Sequence, residues 1–224
     1  MVAKLKKFFR QLEESEWRLG IVQNGIDSLK TNDIHWVSNG IYTRKWFADP
    51  FILEHDDKRI FLLVEEFDYK VHRGRLAKIT IDKSTWTIVD CKIILDLDTH
   101  LSFPMIWRED GYIYVCPENY ASGALNIYEF NIQTDVLTYI KPLISGKLTD
   151  ATLFKDDSGY YILSTYEPIP NGKKLSVWKS DSLLGNYQPS QEIFFDENIA
   201  RNAGKIFKYN DVLVHPAQES NNEY

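Results

Sequence analysis

The residues of this chain best suited to chemistry are acids that stand at matching places in a recurring segment. Asp49 precedes Pro50 in the stretch Trp46-Phe47-Ala48-Asp49-Pro50-Phe51-Ile52-Leu53. Weaker copies follow at Ser102-Phe103-Pro104-Met105-Ile106-Trp107, Asp150-Ala151-Thr152-Leu153-Phe154 and Asn202-Ala203-Gly204-Lys205-Ile206-Phe207. Each copy opens an apolar run, and further polar groups stand where a second run ends: Glu65 and Glu66, Glu118, then His215 and Gln218. Two or three carboxylates around one cavity are what glycoside hydrolysis needs. One stays protonated to donate to the leaving oxygen, and another stays ionised as base or nucleophile. Crowding raises one pKa, and Arg201 is placed to hold another acid ionised.

Asp49, Glu118 and Asp150 are therefore the candidate catalytic acids. Glu65, Glu66, Ser102, Arg201, His215 and Gln218 are the candidate substrate-binding residues. Plainer roles compete with each. An Asp before proline can bond backbone amides. Strand alternation sends only one of Glu65 and Glu66 inward. His215 reads first as a hydrogen-bonded channel residue. Ser102 reads as a turn residue, since no Gly-x-Ser-x-Gly elbow surrounds it. If the acids act on a glycosidic bond, their carboxyls should lie roughly 5–9.5 Å apart.

The elements that must position these residues follow from the repeat. Aligned on Pro50, Pro104, Ala151 and Ala203, the copies lie 54, 47 and 52 residues apart. Between them run apolar segments separated by turns such as His55-Asp56-Asp57-Lys58, Glu109-Asp110-Gly111 and Asp156-Asp157-Ser158-Gly159. A period of about fifty, filled with strands four to a repeat, predicts an all-β fold of propeller type. Blades are expected at about 46–95, 100–142 and 149–197, with a partial one at 201–224, in a single domain over 16–224. Each first strand is expected at the apolar run itself (Phe51 to Leu53 in blade one), with a loop before it. First strands line the channel and second strands run back beside them. Residues before the first strand and after the second therefore share one rim, the rim that carries the acids.

Composition bounds the rest. The chain is 44% hydrophobic, 26% charged and 14% aromatic, an ordinary globular mixture with many rings in strand-like runs. A net charge of −6 argues against nucleic acid as a partner. Cys91 and Cys116 stand in no metal-ligand spacing and read as buried or half-buried thiols of a reducing compartment. No metal or cofactor is expected, although the acids leave room for a cation in the channel. No signal peptide or membrane-length apolar run is visible, so the default location is the cytoplasm. Val2, Leu5, Phe8, Phe9 and Leu12 repeat at helical spacing among basic residues. Residues 1–15 are expected to form an amphipathic helix. It either packs on the domain or rests on an anionic membrane or a glycosyltransferase partner.

Several stretches carry a resemblance. Asp49-Pro50 resembles the first acid of the family 43 glycoside hydrolases and their five-bladed propeller relatives. The chain is more similar to the N-terminal domain of plant glucosamine inositolphosphorylceramide transferases and its bacterial relatives. The matching pieces include Trp17-Arg18-Leu19-Gly20-Ile21, Val64-Glu65-Glu66-Phe67, Gly74-Arg75-Leu76-Ala77, His100-Leu101-Ser102-Phe103-Pro104, Val115-Cys116-Pro117-Glu118 and His215-Pro216-Ala217-Gln218. The resemblance implies a five-bladed propeller associated with bacterial surface-glycan assembly. It also implies a base, a pKa-modulating acid and a proton donor on successive blades. Asp49 fits the first role and Glu118 or Asp150 the donor, while blade two opens on Ser102-Phe103-Pro104 rather than an acid. In the plant proteins, transferase activity belongs to a separate C-terminal domain. The expected function is action on, or binding of, a glycan or sugar-linked intermediate, by glycosyl hydrolysis or transfer if a bond is broken. The alternative is a non-catalytic glycan-binding or scaffold module for a partner glycosyltransferase. A closed ring at this period needs roughly 250 residues, so an open arc with a free edge near 205–215 is expected.

Overall fold

The computed structural model describes residues 17–23, 25–26 and 33–221. The helix expected over 1–15, and any membrane or transferase contact through it, lies outside them. Among the described residues there is no α-helix; a 3-10 turn at Tyr120–Ser122 interrupts an all-β chain.

A short hairpin pairs β1 (Gly20–Ile21) with β2 (His35–Trp36). Blade one is β3 (Lys45–His55), β4 (Arg59–Asp68), β5 (Arg73–Asp82) and β6 (Thr87–Leu95). Blade two is β7 (Ser102–Glu109), β8 (Tyr112–Glu118), β9 (Ala124–Asn131) and β10 (Val136–Ser145). Blade three is β11 (Leu148–Asp156), β12 (Gly159–Tyr166), β13 (Lys174–Ser180) and β14 (Gln188–Phe194). A final hairpin pairs β15 (Phe207–Tyr209) with β16 (Val212–Val214). Within each blade successive strands are antiparallel neighbours. Turn chemistry is local: Asp56 Oδ1 accepts the amides of Lys58 and Arg59, each at 2.7 Å, closing the β3–β4 hairpin. Among the described residues the sheets do not close into a ring.

Blade one buries both faces. One face carries Phe51, Leu53 and Leu63 into a core shared with Phe103, Met105 and Val115 of blade two and Leu148, Leu153 and Ile162 of blade three. The other carries Phe47, Leu62, Val64, Ile79 and Ile81 against Leu19 and Val37. Those two residues arrive on the β1–β2 hairpin, which is tied to the outer edge of blade one by a Ser38–Thr87 bridge. The strand expected over residues 17–23 thus shrinks to two paired residues, Gly20 and Ile21, and its partner is the apolar piece around Trp36.

The first strands differ from expectation in an informative way. Asp49 and Pro50 lie inside β3, not in a loop before it. The register skips from Ala48↔Glu65 to Phe51↔Leu63, so Asp49 and Pro50 together face one residue of β4. That is a β-bulge. The same skip lies between Ser102 and Met105 in β7 and between Thr149 and Thr152 in β11. The bulges place Asp49, Phe103 and Asp150 at φ of 49°, 43° and 48°, left-handed values that a side chain adopts at some cost. Proline has no amide to give to a ladder, so Pro50 and Pro104 are tolerated beside a bulge. The repeated motif is therefore a kink built into each channel strand.

Candidate carboxylate site

The bulge residues link each blade to the next, by a side chain or by a backbone amide. The Phe103 amide of blade two donates to Asp49 Oδ2 of blade one at 3.1 Å. In the same way the Asp150 amide of blade three donates to Glu118 Oε2 of blade two at 2.9 Å. The blades are stitched together through the acids that the sequence singles out. Glu118 and Asp150 are almost fully buried, and Asp49 is partly exposed.

Charge is distributed unevenly among them. Asp150 Oδ2 accepts from Arg201 Nε at 2.6 Å and from Gln218 Nε2 at 2.8 Å. Arg201 is itself steadied by Asn171 Oδ1 at 2.9 Å. Two donors, one of them cationic, thus hold this one oxygen of Asp150. Glu118 lies against Asp150. Burial first, then the Asp150 charge and a hydrogen bond between the two carboxyls, push Glu118 up to about 9. Asp150 Oδ1 is buried without a fixed donor, and a proton on Glu118 supplies one. Asp49 is pushed up to about 7, by burial and then by the charges of Asp150 and Glu65, against the pull of the Phe103 amide.

This geometry sorts the candidates. Glu118 is tied to Asp150 through the Asp150 amide, and burial together with the neighbouring Asp150 charge raises its pKa. They form one proton-sharing unit, and Asp49 is the separate acid. Glu65 faces the same side, coupled to Asp49. Glu66 points to the opposite face, where Lys45 and the Nε and Nη2 of Arg75 hold it. It belongs to an ion-pair network and not to the site, because alternation along β4 sends adjacent residues to opposite faces. Ser102 is the register partner of Glu118. The blade-two counterpart of Asp49 is Phe103, one residue later.

At the fourth repeat, Asn202 is fully buried and donates to the carbonyls of Asp150 at 2.5 Å and Leu163 at 2.8 Å. His215 Nε2 lies 2.6 Å from Asn202 Oδ1, so it reaches the acids only through Asn202. Burial lowers its pKa. His215 instead lines a cleft of about 370 Å³ between blade three and the last hairpin, with Leu163, Val177 and Leu213.

Asn171 and His100 join the site from outside the candidates that the repeat offers, whereas Asn202 stands on the expected rim. The Gly74 amide donates to His100 Nδ1 at 3.0 Å, which leaves the Nε2 position to face Glu65 Oε1, also 3.0 Å away. Position two before Ser102 was the available signal for His100. Asn202 stands at the repeat position of Asp49 and Asp150 and was legible from the alignment of copies. Among the described residues no group of three His, Cys, Asp or Glu is arranged to hold a metal ion.

Blades of four antiparallel strands, with Asp49 and Asp150 on kinked first strands, define a fold of β-propeller type. Solved structures with this architecture include an exo-β-1,3-galactanase from Phanerochaete chrysosporium, determined with galactose. It matches at a TM-score of 0.61 and 10% identity over 81% of this chain and 45% of that one. A family 43 β-1,3-galactosidase matches at a TM-score of 0.58 and 14% identity, over 80% of this chain and 41% of that one. At such identities the likeness is one of fold. The chain belongs to the family described as glucosamine inositolphosphorylceramide transferase 1, N-terminal, whose model matches residues 32–224. It is 29% identical to glucosamine inositolphosphorylceramide transferase 1 of Arabidopsis thaliana over 80% of its length, and 28% identical to that of Oryza sativa subsp. japonica over 84%. These matches cover 24% and 26% of the two plant proteins, so the chain spans about a quarter of the curated relatives it matches.

Proposed function

We propose that this domain binds a glycan or sugar-linked intermediate at its carboxylate rim, and that Asp49 serves there as the acid–base group of glycosyl hydrolysis or transfer. The observation that carries the reading is the division of labour among three acids on successive blades. Asp49 is partly exposed with a pKa pushed to about 7, beside a buried Glu118–Asp150 unit pinned by Arg201. A carboxyl poised near neutral pH can exchange a proton with a sugar oxygen at working pH. The buried pair sets its charge environment, a pKa-modulating part. The sugar-related names of the plant relatives support the substrate class, and the shared fold leaves room for a propeller of five blades. Surface-polysaccharide assembly in bacteria is the setting we propose for the reaction.

A second reading has its own support. Glu118 and Asp150 are committed to inter-blade bonds, which suits a rigid binding module that breaks no bond. One experiment separates the two. Asp49→Asn is assayed for turnover of a panel of glycosides and for sugar affinity. Lost turnover with retained affinity supports catalysis. Retained turnover removes Asp49 from the reaction, and absence of turnover in both proteins with preserved binding leaves the module.

A further inference from the structure

Blade one carries two aromatic rings beside the carboxylate site that the site itself does not use. Trp46 is the register partner of Phe67, as Ala48 is of Glu65. Residues two apart on a strand share a face. Trp46, Ala48, Glu65 and Phe67 therefore lie on one face, the rings about 7 Å along the strands from Glu65. The two rings are stacked with centroids 4.7 Å apart and planes 1° from parallel. Tyr69 meets Phe67 edge-on at 5.9 Å. All three are only half-buried.

The wall beside them is cut away. Across from Phe67 on β5 stands Gly74. A Cβ there would lie 2.4 Å from the Leu101 carbonyl oxygen, 2.6 Å from Glu65 Oε1 and 2.9 Å from the His100 ring. The missing side chain admits His100 to Glu65 and keeps the imidazole at the rim, its side chain 39% exposed. On the opposite face of the sheet, Lys45, Arg75, Glu66 and Asp68 pair with one another. What remains on the near face is a surface with an apolar end, the half-buried rings of Trp46 and Phe67, and a polar end, Glu65, His100 and Asp49.

We propose that the Trp46–Phe67 stack is a sugar-binding subsite. It takes the C–H face of one pyranose ring of the ligand whose next ring reaches Asp49, an inference that rests on the carbohydrate reading above. A pyranose has an apolar C–H face and a rim of hydroxyls. An aromatic plane followed by hydrogen-bonding groups matches that pattern. Cross-strand packing alone would explain the stack, but not its partial exposure on the acid side of the blade.

The test uses the whole chain and four probes: the methyl β-pyranosides of glucose, galactose and glucosamine, and β-1,3-galactotriose. Saturation-transfer NMR should show strongest transfer to ring C–H protons of at least one probe. Trp46→Ala should weaken its binding tenfold or more, while Trp46→Phe stays within about threefold of wild type. Thermal melts confirm that both variants are folded. If Trp46→Ala does not fold, the deciding measurement is the indole N–H signal that Trp46→Phe removes, which must shift on adding sugar to wild type. No binding of any probe, wild-type affinity in folded Trp46→Ala, or an unmoved indole signal overturns the subsite. Turnover lost in Asp49→Asn alongside unchanged binding in Trp46→Ala sinks the subsite alone; the reverse outcome sinks the catalytic reading alone.

Discussion

Asp49 and Glu118 hold protons more tightly in the folded chain than in the unfolded one, and this has a sign. Their folded pKa values, about 7 and about 9, exceed the ordinary carboxyl values near 4. The stability linked to each is complete below about pH 4 and is lost as pH rises through 7 and then 9. Urea unfolding at pH 5, 7 and 9 should therefore show a falling free energy. Asp49→Asn should remove the portion lost between about pH 4 and 7, so that at pH 8 it is more stable than wild type by up to about 4 kcal/mol. Glu118→Gln should likewise flatten the portion lost toward pH 9, because an amide can still accept the Asp150 amide proton and donate to Asp150 Oδ1. Arg201→Gln should act in the opposite direction. It leaves Asp150 charged and buried without its cation, at a cost of about 3 kcal/mol or more at pH 7. A pH-independent unfolding free energy would contradict the proton assignments.

At the scale of the element, the bulge is the device that makes the site. Without it the acids would alternate with their neighbours and point along the pleat. With it, β3 hands Asp49 to the Phe103 amide of blade two, and the bulged Asp150 of β11 turns its own amide to Glu118 at the end of β8. Gly74 is the second such device, since it lets the segment carrying His100 and Leu101 lie against β5. Gly74→Ala should destabilise the chain by about 2 kcal/mol through forced displacement of the Leu101 carbonyl. It should also move the His100 ring signals in NMR. A neutral effect on both would show that the segment can shift freely.

Over the whole molecule, stability should be graded. The core shared by blades one to three includes fully buried Leu63, Leu76, Met105, Val115 and Ile162. Lys78 and Lys92 of blade one clamp Asp135 of blade two at 2.5 and 3.2 Å. The last hairpin has three-residue strands with Val212 and Leu213 63% and 58% exposed. Hydrogen exchange should therefore be slowest in β4, β5, β8 and β12 and fastest over 205–215. Equal protection in the last hairpin would mean that another surface covers it in solution.

The chain alone was enough to read the strand-rich repeat, the turns and most of the acids. Those features rest on local chemistry: alternation, Asp and Gly at turns, and a motif that recurs about every fifty residues. Cysteine burial was legible for the same reason, with Cys116 buried and Cys91 half-buried. The tertiary structure decided what local chemistry cannot. A bulge is a mismatch between two strands, so the sequence of one strand placed Asp49 in a loop. Glu65 and Glu66 are neighbours of the same type, and only the face that meets His100 rather than Lys45 and Arg75 separates them. Glu118 and Asp150 lie 32 residues apart. Their joining into one proton-sharing unit depends on two blades packing together and excluding water, a property of the assembled core that neither segment carries alone.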